Sequence, residues 1–201
     1  MIKAVLFDVG NVLVHYDAVR AARRFSRRAN VPFRKVWKHF FTSRVEKAYT
    51  RGEITTREFF RHSRHAFKVK VDFATFQHLW NDIFWENRGI RPILRSLGRR
   101  YPLYLISNTN ALHFNYVRRK FPHLFRHFKK VFPSHRMGRR KPDRRIYWKA
   151  LRAIKLRPEE TVFIDDVPRF LEGARKVGMK GVLFRSNAQL KRELRRLGVK
   201  L

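Results

Sequence analysis

The chain of 201 residues is 44% hydrophobic and 14% aromatic, and its 48 Lys and Arg against 15 Asp and Glu give a formal charge of +33. With 19 Phe and 4 Trp it has the apolar surface for a core, which excludes an intrinsically disordered protein, and its length suits one domain or one core with an insertion. No apolar run reaches the roughly 18 residues of a membrane span, and the absence of Cys excludes disulfide and thiolate chemistry.

Short apolar runs rich in β-branched and aromatic residues predict buried strands. Three of these runs end directly in a polar residue, namely Asp8, Ser107 and Asp165. The predicted strands, in chain order, are residues 2–7, 103–106, 130–132 (a weaker one), 161–164 and 181–184.

Residues 17–87 contain no predicted strand and several predicted amphipathic helices. Asp17 can cap the first helix, a second begins near Pro32, and a third begins near Thr55–Glu58. A fourth carries the apolar residues of 73–84, and its aromatic side chains are predicted to form core. We interpret this segment as a helical insertion after the first strand.

Three later helices alternate with the strands. Apolar residues share one face in 146–154 and in 170–177, and Asn187 is expected to cap the last helix. Strands that alternate with helices predict a parallel sheet covered on both faces. The predicted fold class is therefore α/β, with a Rossmann-like doubly wound parallel sheet formed by residues 1–16 and 88–201 and the helical insertion after the first strand.

Polar residues follow three of the predicted strands, and in an open parallel sheet ligands bind at the carboxyl ends of the strands. That edge would bring together Asp8, Ser107 and the pair Asp165 and Asp166. Carboxylates this close repel one another unless a cation neutralises them, and Mg²⁺ prefers oxygen ligands. A buried carboxylate can also act as a nucleophile and form an aspartyl-phosphate.

Four motifs stand out in the chain, and three of them contain the polar residues of this edge. The motifs are FDVGNVLV (7–14), LISNTN (105–110), MGRRKPDRRIY (137–147) and TVFIDDVPRFLEGARKVGMKGVLF (161–184), with RGEITTREFF (51–60) in the insertion. In this order they resemble the motifs of the haloacid dehalogenase superfamily of hydrolases, which the chain resembles over its full length. The helical insertion resembles the C1-type cap of that superfamily. Within the superfamily the chain is most similar to small bacterial sugar-phosphate phosphatases, especially the α-D-glucose-1-phosphate phosphatases.

The resemblance implies a phosphatase that hydrolyses small phosphorylated metabolites, sugar phosphates first, through an aspartyl-phosphate on Asp8. It implies that Mg²⁺ is held by Asp8, the backbone carbonyl of Gly10 and Asp166. Asp165 would lie next to these ligands without contacting the metal directly. The implied fold is an α/β core whose cap closes over the sheet edge and selects the substrate.

The same resemblance assigns three further residues to the phosphate group. Ser107 and the adjacent Asn108 amide would donate hydrogen bonds to its oxygens, and Lys141 would supply a fixed positive charge. Asp8, Ser107 and Lys141 are thus the implied catalytic residues.

Gly10 departs from the pattern of most phosphatases in this superfamily, which carry a second Asp there as general acid and base. The glucose-1-phosphate phosphatase-like members share the Gly-Asn pattern, and a leaving group that departs without full protonation would be affected least. Asn11, His15 or Asp17 could position water instead, and the sequence selects none of them.

The charge of +33 predicts attraction to nucleic acid and other polyanions. Basic residues are dispersed along the chain without a basic tail or a zinc-finger or RRM signature, so we expect non-specific binding by a strongly recharged surface. Two alternatives stay open: a polyanion-binding protein on an inactive scaffold of this superfamily, and a metal-independent 2-haloacid dehalogenase, which would not need the pair Asp165 and Asp166. We expect a cytoplasmic protein, and the sequence does not predict its oligomeric state.

Overall fold

Seven strands form two sheets in the computed structural model, which describes residues 1–201. The strands are β1 (Ala4–Phe7), β2 (Val14–Tyr16), β3 (Phe84–Glu86), β4 (Leu103–Ser107), β5 (Phe128–Pro133), β6 (Thr161–Asp165) and β7 (Lys180–Leu183). Five of them form a parallel sheet in the order β5-β4-β1-β6-β7, and β2 pairs antiparallel with β3.

Twelve α-helices surround the sheets, and none of them is long and apolar enough to cross a membrane. A π-helical turn covers Lys38–Thr42 and a 3-10 turn covers Pro158–Glu160. The helices are α1 (Ala18–Ala29), α2 (Phe33–Trp37), α3 (Arg44–Arg51), α4 (Thr56–Phe67), α5 (Phe73–Asn81), α6 (Ile90–Gly98), α7 (Ala111–Lys120), α8 (Pro122–Phe125), α9 (Ser134–Met137), α10 (Arg144–Ile154), α11 (Pro168–Arg175) and α12 (Asn187–Arg196).

The five-stranded sheet is buried on both faces. Along β1, Val5 and Phe7 belong to one hydrophobic cluster, while Ala4 and Leu6 belong to the other, as the alternation of side chains in a strand requires. Apolar residues of α6, α7 and α12 cover the first face, and those of α10 and α11 cover the second. The predicted α/β class with a doubly wound parallel sheet is confirmed.

A third cluster of 14 buried residues lies almost entirely in the helical insertion, where most of its members are aromatic. Two of its helices begin as predicted. Asp17 accepts a hydrogen bond from the backbone of Arg20 at 2.8 Å, and Thr55 and Glu58 form a reciprocal capping box at the start of α4. Leu112 of α7 joins this cluster, so the insertion packs directly on the rest of the chain.

Three local expectations are wrong. The insertion does contain a strand, because β3 pairs with β2, and for the same reason the fourth helix ends at Asn81 before reaching Phe84. Ser186, and not Asn187, caps α12 by accepting from the backbone of Gln189 at 3.2 Å. The Asn187 side chain instead donates to Asn87 at 2.8 Å, so it does not cap the helix.

Candidate active site

Three neighbouring strands of the parallel sheet deliver polar residues to the same edge. Asp8 follows β1, Ser107 is the last residue of β4, and Asp165 is the last residue of β6. Because β1 lies between β4 and β6, the three residues lie side by side, and all three are buried. The apolar run before each residue is buried in the core, so the polar side chain lies at the end of the strand.

Lys141 neutralises two of the acids at this edge. Its ammonium lies 2.9 Å from Asp8 Oδ1 and 2.5 Å from Asp165 Oδ2, and its side chain is fully buried. Burial lowers the pKa of Lys141, but the attraction of the two carboxylates outweighs burial and raises the pKa above its usual value. Burial also raises the pKa of Asp165, an effect that Lys141 opposes. Lys141 is therefore a fixed cation at the sheet edge.

Asn108 holds the backbone of Lys141 in place. Its side-chain Oδ1 accepts from Lys141 N at 2.8 Å, and its Nδ2 donates to the carbonyl of Lys141 at 2.9 Å. This two-point contact occupies both polar ends of the Asn108 amide side chain. The backbone N–H of Asn108 has no such contact and is available to a bound phosphate.

Asp8, Asp165 and Asp166 form a cluster that can hold a metal, since one carboxylate oxygen from each lies within 4.8 Å of the others. Asp165 uses both oxygens inside the protein, one on Lys141 and one on the backbone N–H of Val167 at 2.8 Å. Asp166 accepts from Asn11 at 3.0 Å through Oδ2 alone. Asp8 and Asp166 thus keep an oxygen for a cation, and an all-oxygen donor set of this kind suits Mg²⁺.

The position that lacks the second Asp is closed by an aromatic ring. A Cβ added at Gly10 would lie 3.0 Å from Cε1 of Tyr16 and 3.8 Å from Oδ2 of Asp8, so Tyr16 occupies the space beside the acids. Of the three residues that could position water, Asp17 caps α1 and His15 packs against an exposed Trp on β3. Asn11 is the one in contact with the acid cluster, through Asp166.

A cavity of about 380 Å³ opens in front of this edge. Asp8, Gly10, Ser107, Asn108 and Asp166 line one end, and the helical insertion supplies the opposite wall. The structure thus brings the predicted residues to one place, with Lys141 and Asp165 just beneath the cavity. The aromatic residues of the insertion that line it are Trp37, Phe40, Phe41, Tyr49, Phe59, Trp80 and Phe84.

The fold and this arrangement agree with a comparison against known families. A model of the haloacid dehalogenase-like hydrolases matches residues 2–178. The chain belongs to this family. It is therefore a hydrolase of the haloacid dehalogenase type, as the order of its motifs predicts.

Curated relatives in this family include two phosphatases of nearly the same length. The sesquiterpene phosphatase astK of Aspergillus oryzae is 25% identical over 197 residues, which cover 97% of this chain and 96% of that protein. D-ribitol-5-phosphate phosphatase of Bacteroides thetaiotaomicron is 22% identical over 201 residues, which cover 96% and 97%. Drimenol cyclase drtB of Aspergillus calidoustus is 27% identical over 96% of this chain, but the chain spans only 36% of the length of that cyclase.

Solved structures of the family superpose closely on the chain. A haloacid dehalogenase family enzyme from Bacteroides thetaiotaomicron, crystallised with magnesium and inorganic phosphate, has a TM-score of 0.85 at 26% identity and covers 92% of this chain and 95% of its own. A family hydrolase from Porphyromonas gingivalis has a TM-score of 0.86 at 24% identity, with coverages of 97% and 98%. A 2-haloacid dehalogenase from Pseudomonas syringae shares the fold at a TM-score of 0.67 and 21% identity, with coverages of 98% and 99%.

Sequence reasoning missed several residues that line the cavity. Tyr16 and Arg140 lie within or beside quoted motifs, but nothing in their spacing indicates contact with the cavity. Trp37, Phe41 and Trp80 carry the helical spacing that predicts core, and this spacing does not tell a core contact from a cavity wall. To predict which of these side chains line the cavity, one would also have to know how the insertion packs on the sheet edge.

Proposed function

We propose that this family member is a Mg²⁺-dependent phosphomonoester hydrolase that forms an aspartyl-phosphate on Asp8. The observation that carries the proposal is the position of Asp8, which is buried at the end of the central strand, paired with Lys141 through one oxygen and open to the cavity beside Asp166. The two phosphatase relatives and the neighbour that binds magnesium and phosphate support the same conclusion.

Asp8 performs the bond-making step. One carboxylate oxygen attacks phosphorus, the phosphorus–oxygen bond to the alcohol breaks, and the leaving oxygen takes up a proton from solvent, since Gly10 supplies no acid. Water then cleaves the aspartyl-phosphate, which yields inorganic phosphate and restores the carboxylate. The ammonium of Lys141 lies 2.9 Å from Asp8 Oδ1 and offsets part of the negative charge that gathers at this edge when a phosphate binds.

The residues around Asp8 would bind the phosphate and the metal. Ser107, the backbone N–H of Asn108 and the charge of Lys141 would stabilise the phosphate oxygens. Asp8, Asp166 and the carbonyl of Gly10 would hold Mg²⁺, which neutralises negative charge on the phosphate and on Asp8.

The helical insertion, residues 17–87, would act as the cap that excludes water from the cavity. Two contacts tie it to the region of Lys141. Arg140 donates to Glu46 of α3 at 2.9 and 3.0 Å, and Ser134 Oγ donates to the carbonyl of Thr50 at 2.6 Å. Both contacts join the insertion to the segment between β5 and α10, so they hold the insertion against the side of the cavity.

Release of inorganic phosphate tests the function directly. The purified protein should hydrolyse members of a panel of phosphate monoesters with Mg²⁺ and lose that activity in EDTA. The panel should include sugar phosphates, as the resemblance to glucose-1-phosphate phosphatases implies, and 2-haloacids for the dehalogenase alternative. Halide release without metal, and no phosphate release from any ester, would reject the proposal.

Polyanions are expected to inhibit this activity competitively, because a charge of +33 attracts their phosphates or sulfates to the field that attracts the substrate. Random-sequence DNA and heparin should inhibit alike, and affinity should fall by about 10³-fold between 50 and 200 mM salt. The measurement is the inhibition constant as a function of salt concentration.

Neutral dextran is the control polymer, and it should not inhibit. Binding that resists salt and prefers one sequence by roughly 10³-fold, in a protein without Mg²⁺-dependent phosphate release, would instead identify a nucleic-acid-binding protein on an inactive scaffold.

A further inference from the structure

The two ends of the cavity differ in chemistry. The end at the sheet edge carries carboxylate, hydroxyl and amide groups, which suit a phosphate and its cation. The wall from the helical insertion is mainly aromatic. Of the 28 residues that line the whole cavity, 16 are hydrophobic. A bound ester therefore meets polar groups at its phosphate and mainly rings at its alcohol portion.

The aromatic side chains of the wall form a continuous surface from Trp37, at the end of α2, to Trp80 in α5. The rings of Trp37 and Phe41 lie 4.6 Å apart, and the ring of Phe41 stacks on Trp80 at 5.6 Å with an interplanar angle of 25°. Phe40 and Phe59 are almost completely buried behind them, so the wall is backed by core. Trp37 and Phe41 are only partly buried, which leaves apolar ring surface facing the cavity.

The insertion contributes three side chains with hydroxyl or carboxylate groups to the cavity, and each already has a protein partner. Both oxygens of Glu46 accept from Arg140. Thr50 Oγ1 donates to the carbonyl of Glu46 at 2.9 Å and accepts from Arg140 at 2.7 Å. The hydroxyl of Tyr49 pairs with Thr56 at 2.9 Å and accepts from a backbone N–H of α7.

A sugar or polyol placed against this wall would lose hydrogen bonds to water that these three paired side chains do not replace, and such unpaired groups are costly in a buried site. The indole N–H of Trp80 has no partner, but it is itself buried. His113 of α7 also lines the cavity, but both of its ring nitrogens already have partners in the protein. One ring nitrogen contacts the carbonyl of Trp80 at 3.0 Å, and the other contacts Asn110 at 3.3 Å. A hydrocarbon group, in contrast, would bury apolar surface against the rings at no such cost.

We infer that the substrate is the monophosphate of a hydrocarbon alcohol, with its phosphate at Asp8 and its hydrocarbon chain along Trp37, Phe41 and Trp80. This inference rests on the proposed phosphatase function and specifies its substrate class. It favours such esters over the sugar phosphates that the sequence resemblance implies.

Substrate preference tests the inference. Decyl monophosphate and farnesyl monophosphate, below their critical micelle concentrations, are compared with D-glucose-1-phosphate and D-ribitol-5-phosphate. We expect kcat/KM for the hydrocarbon esters to exceed that for the sugar esters by at least about tenfold, since a few methylene groups in an apolar pocket give discrimination of this size. Equal or better turnover of the sugar esters overturns the inference and leaves the phosphatase function standing.

Phe41→Ala should reduce kcat/KM for decyl monophosphate by about tenfold, mainly through KM, and change that for the sugar esters less than about twofold. Phe73→Ala is the matched control, because Phe73 is also a partly buried ring packed on the insertion's cluster but does not line the cavity. The ratio of kcat/KM between the two substrate classes does not depend on the fraction of the protein that is folded. Phe41→Leu is a second, more conservative variant. An unchanged ratio in Phe41→Ala contradicts the inference.

Calorimetry separates the two proposals if no ester is hydrolysed. Tighter binding of decyl monophosphate than of glucose-1-phosphate, weakened by Phe41→Ala but not by Phe73→Ala, would support the apolar subsite while rejecting the catalytic function. Equal binding of both ligands would reject the subsite.

Discussion

Asp8→Asn is expected to lower Mg²⁺-dependent phosphate release by at least about 10³-fold, because the amide keeps the volume of the carboxylate but is not a nucleophile. The folded structure should persist, since Lys141 still pairs with Asp165 at 2.5 Å. The measurement is the rate of phosphate release on the best ester of the panel, with circular dichroism and the melting temperature as checks on folding.

Asp72→Asn is the matched control for this substitution. Asp72 accepts from the backbone of Thr75 at 2.8 Å at the start of α5, away from the cavity, so its variant should keep full activity. Wild-type turnover in Asp8→Asn would show that another group attacks phosphorus.

Lys141→Met is expected to destabilise the protein by about 3–5 kcal/mol as well as to inactivate it. The substitution leaves the carboxylates of Asp8 and Asp165 buried without their cation, and breaking a buried ion pair by removing one partner has a cost of this size. For a chain of this length the melting temperature should fall by roughly 6–20 °C. Thermal unfolding in the absence of Mg²⁺ measures the effect.

Two further variants distinguish this explanation from a loss of packing. Lys149→Met removes an exposed Lys of α10 that donates to the carbonyl of Met137, and it should leave both stability and activity unchanged. The double variant Lys141→Met with Asp165→Asn removes one of the stranded charges, so it should regain part of the stability but none of the activity. A melting temperature for Lys141→Met equal to that of the wild type would mean that the ion pairs do not stabilise the fold.

The acids at the sheet edge could be predicted because each one directly ends an apolar run. Phe7 and Ile164 are completely buried, and the next residues, Asp8 and Asp165, are the acids that follow these apolar residues directly. The order of strands in a doubly wound sheet then places those ends together. Local pattern and a general rule of topology were sufficient for this part of the fold and site.

The pairing of β2 with β3 could not be predicted in the same way. Each strand has three residues, and Val14 pairs with Glu86 far along the chain. Three residues carry too little alternation to indicate a strand, and the partner is set by how the insertion leaves and rejoins the sheet. The displaced N-cap of α12 has a similar cause, since the Asn187 side chain is held by Asn87, a hundred residues away.

The burial of Lys141 and the aromatic wall also depend on long-range packing. Lysine is ordinarily a solvated residue, and here its ammonium is enclosed by Asp8 and Asp165 and by the rings of Phe163 and Phe170, whose centroids lie 5.2 and 5.0 Å away. In the wall, the π-helical turn at Lys38–Thr42 departs from the regular helical spacing that sequence patterns assume. Which rings face the cavity is decided by that turn and by the docking of the insertion.

The central place of β1 in the sheet has a consequence during synthesis. The strand is made first, yet its neighbours β4 and β6 come from residues 103–107 and 161–165. At about 5–20 residues per second, the ribosome needs on the order of 10–30 s to supply both. Both edges of the apolar segment AVLF are unpaired until β4 is made, and one edge stays unpaired until β6 follows, and such edges allow association with other chains. The segment that carries the nucleophile to its place is therefore exposed to association with other chains before either of its partner strands exists.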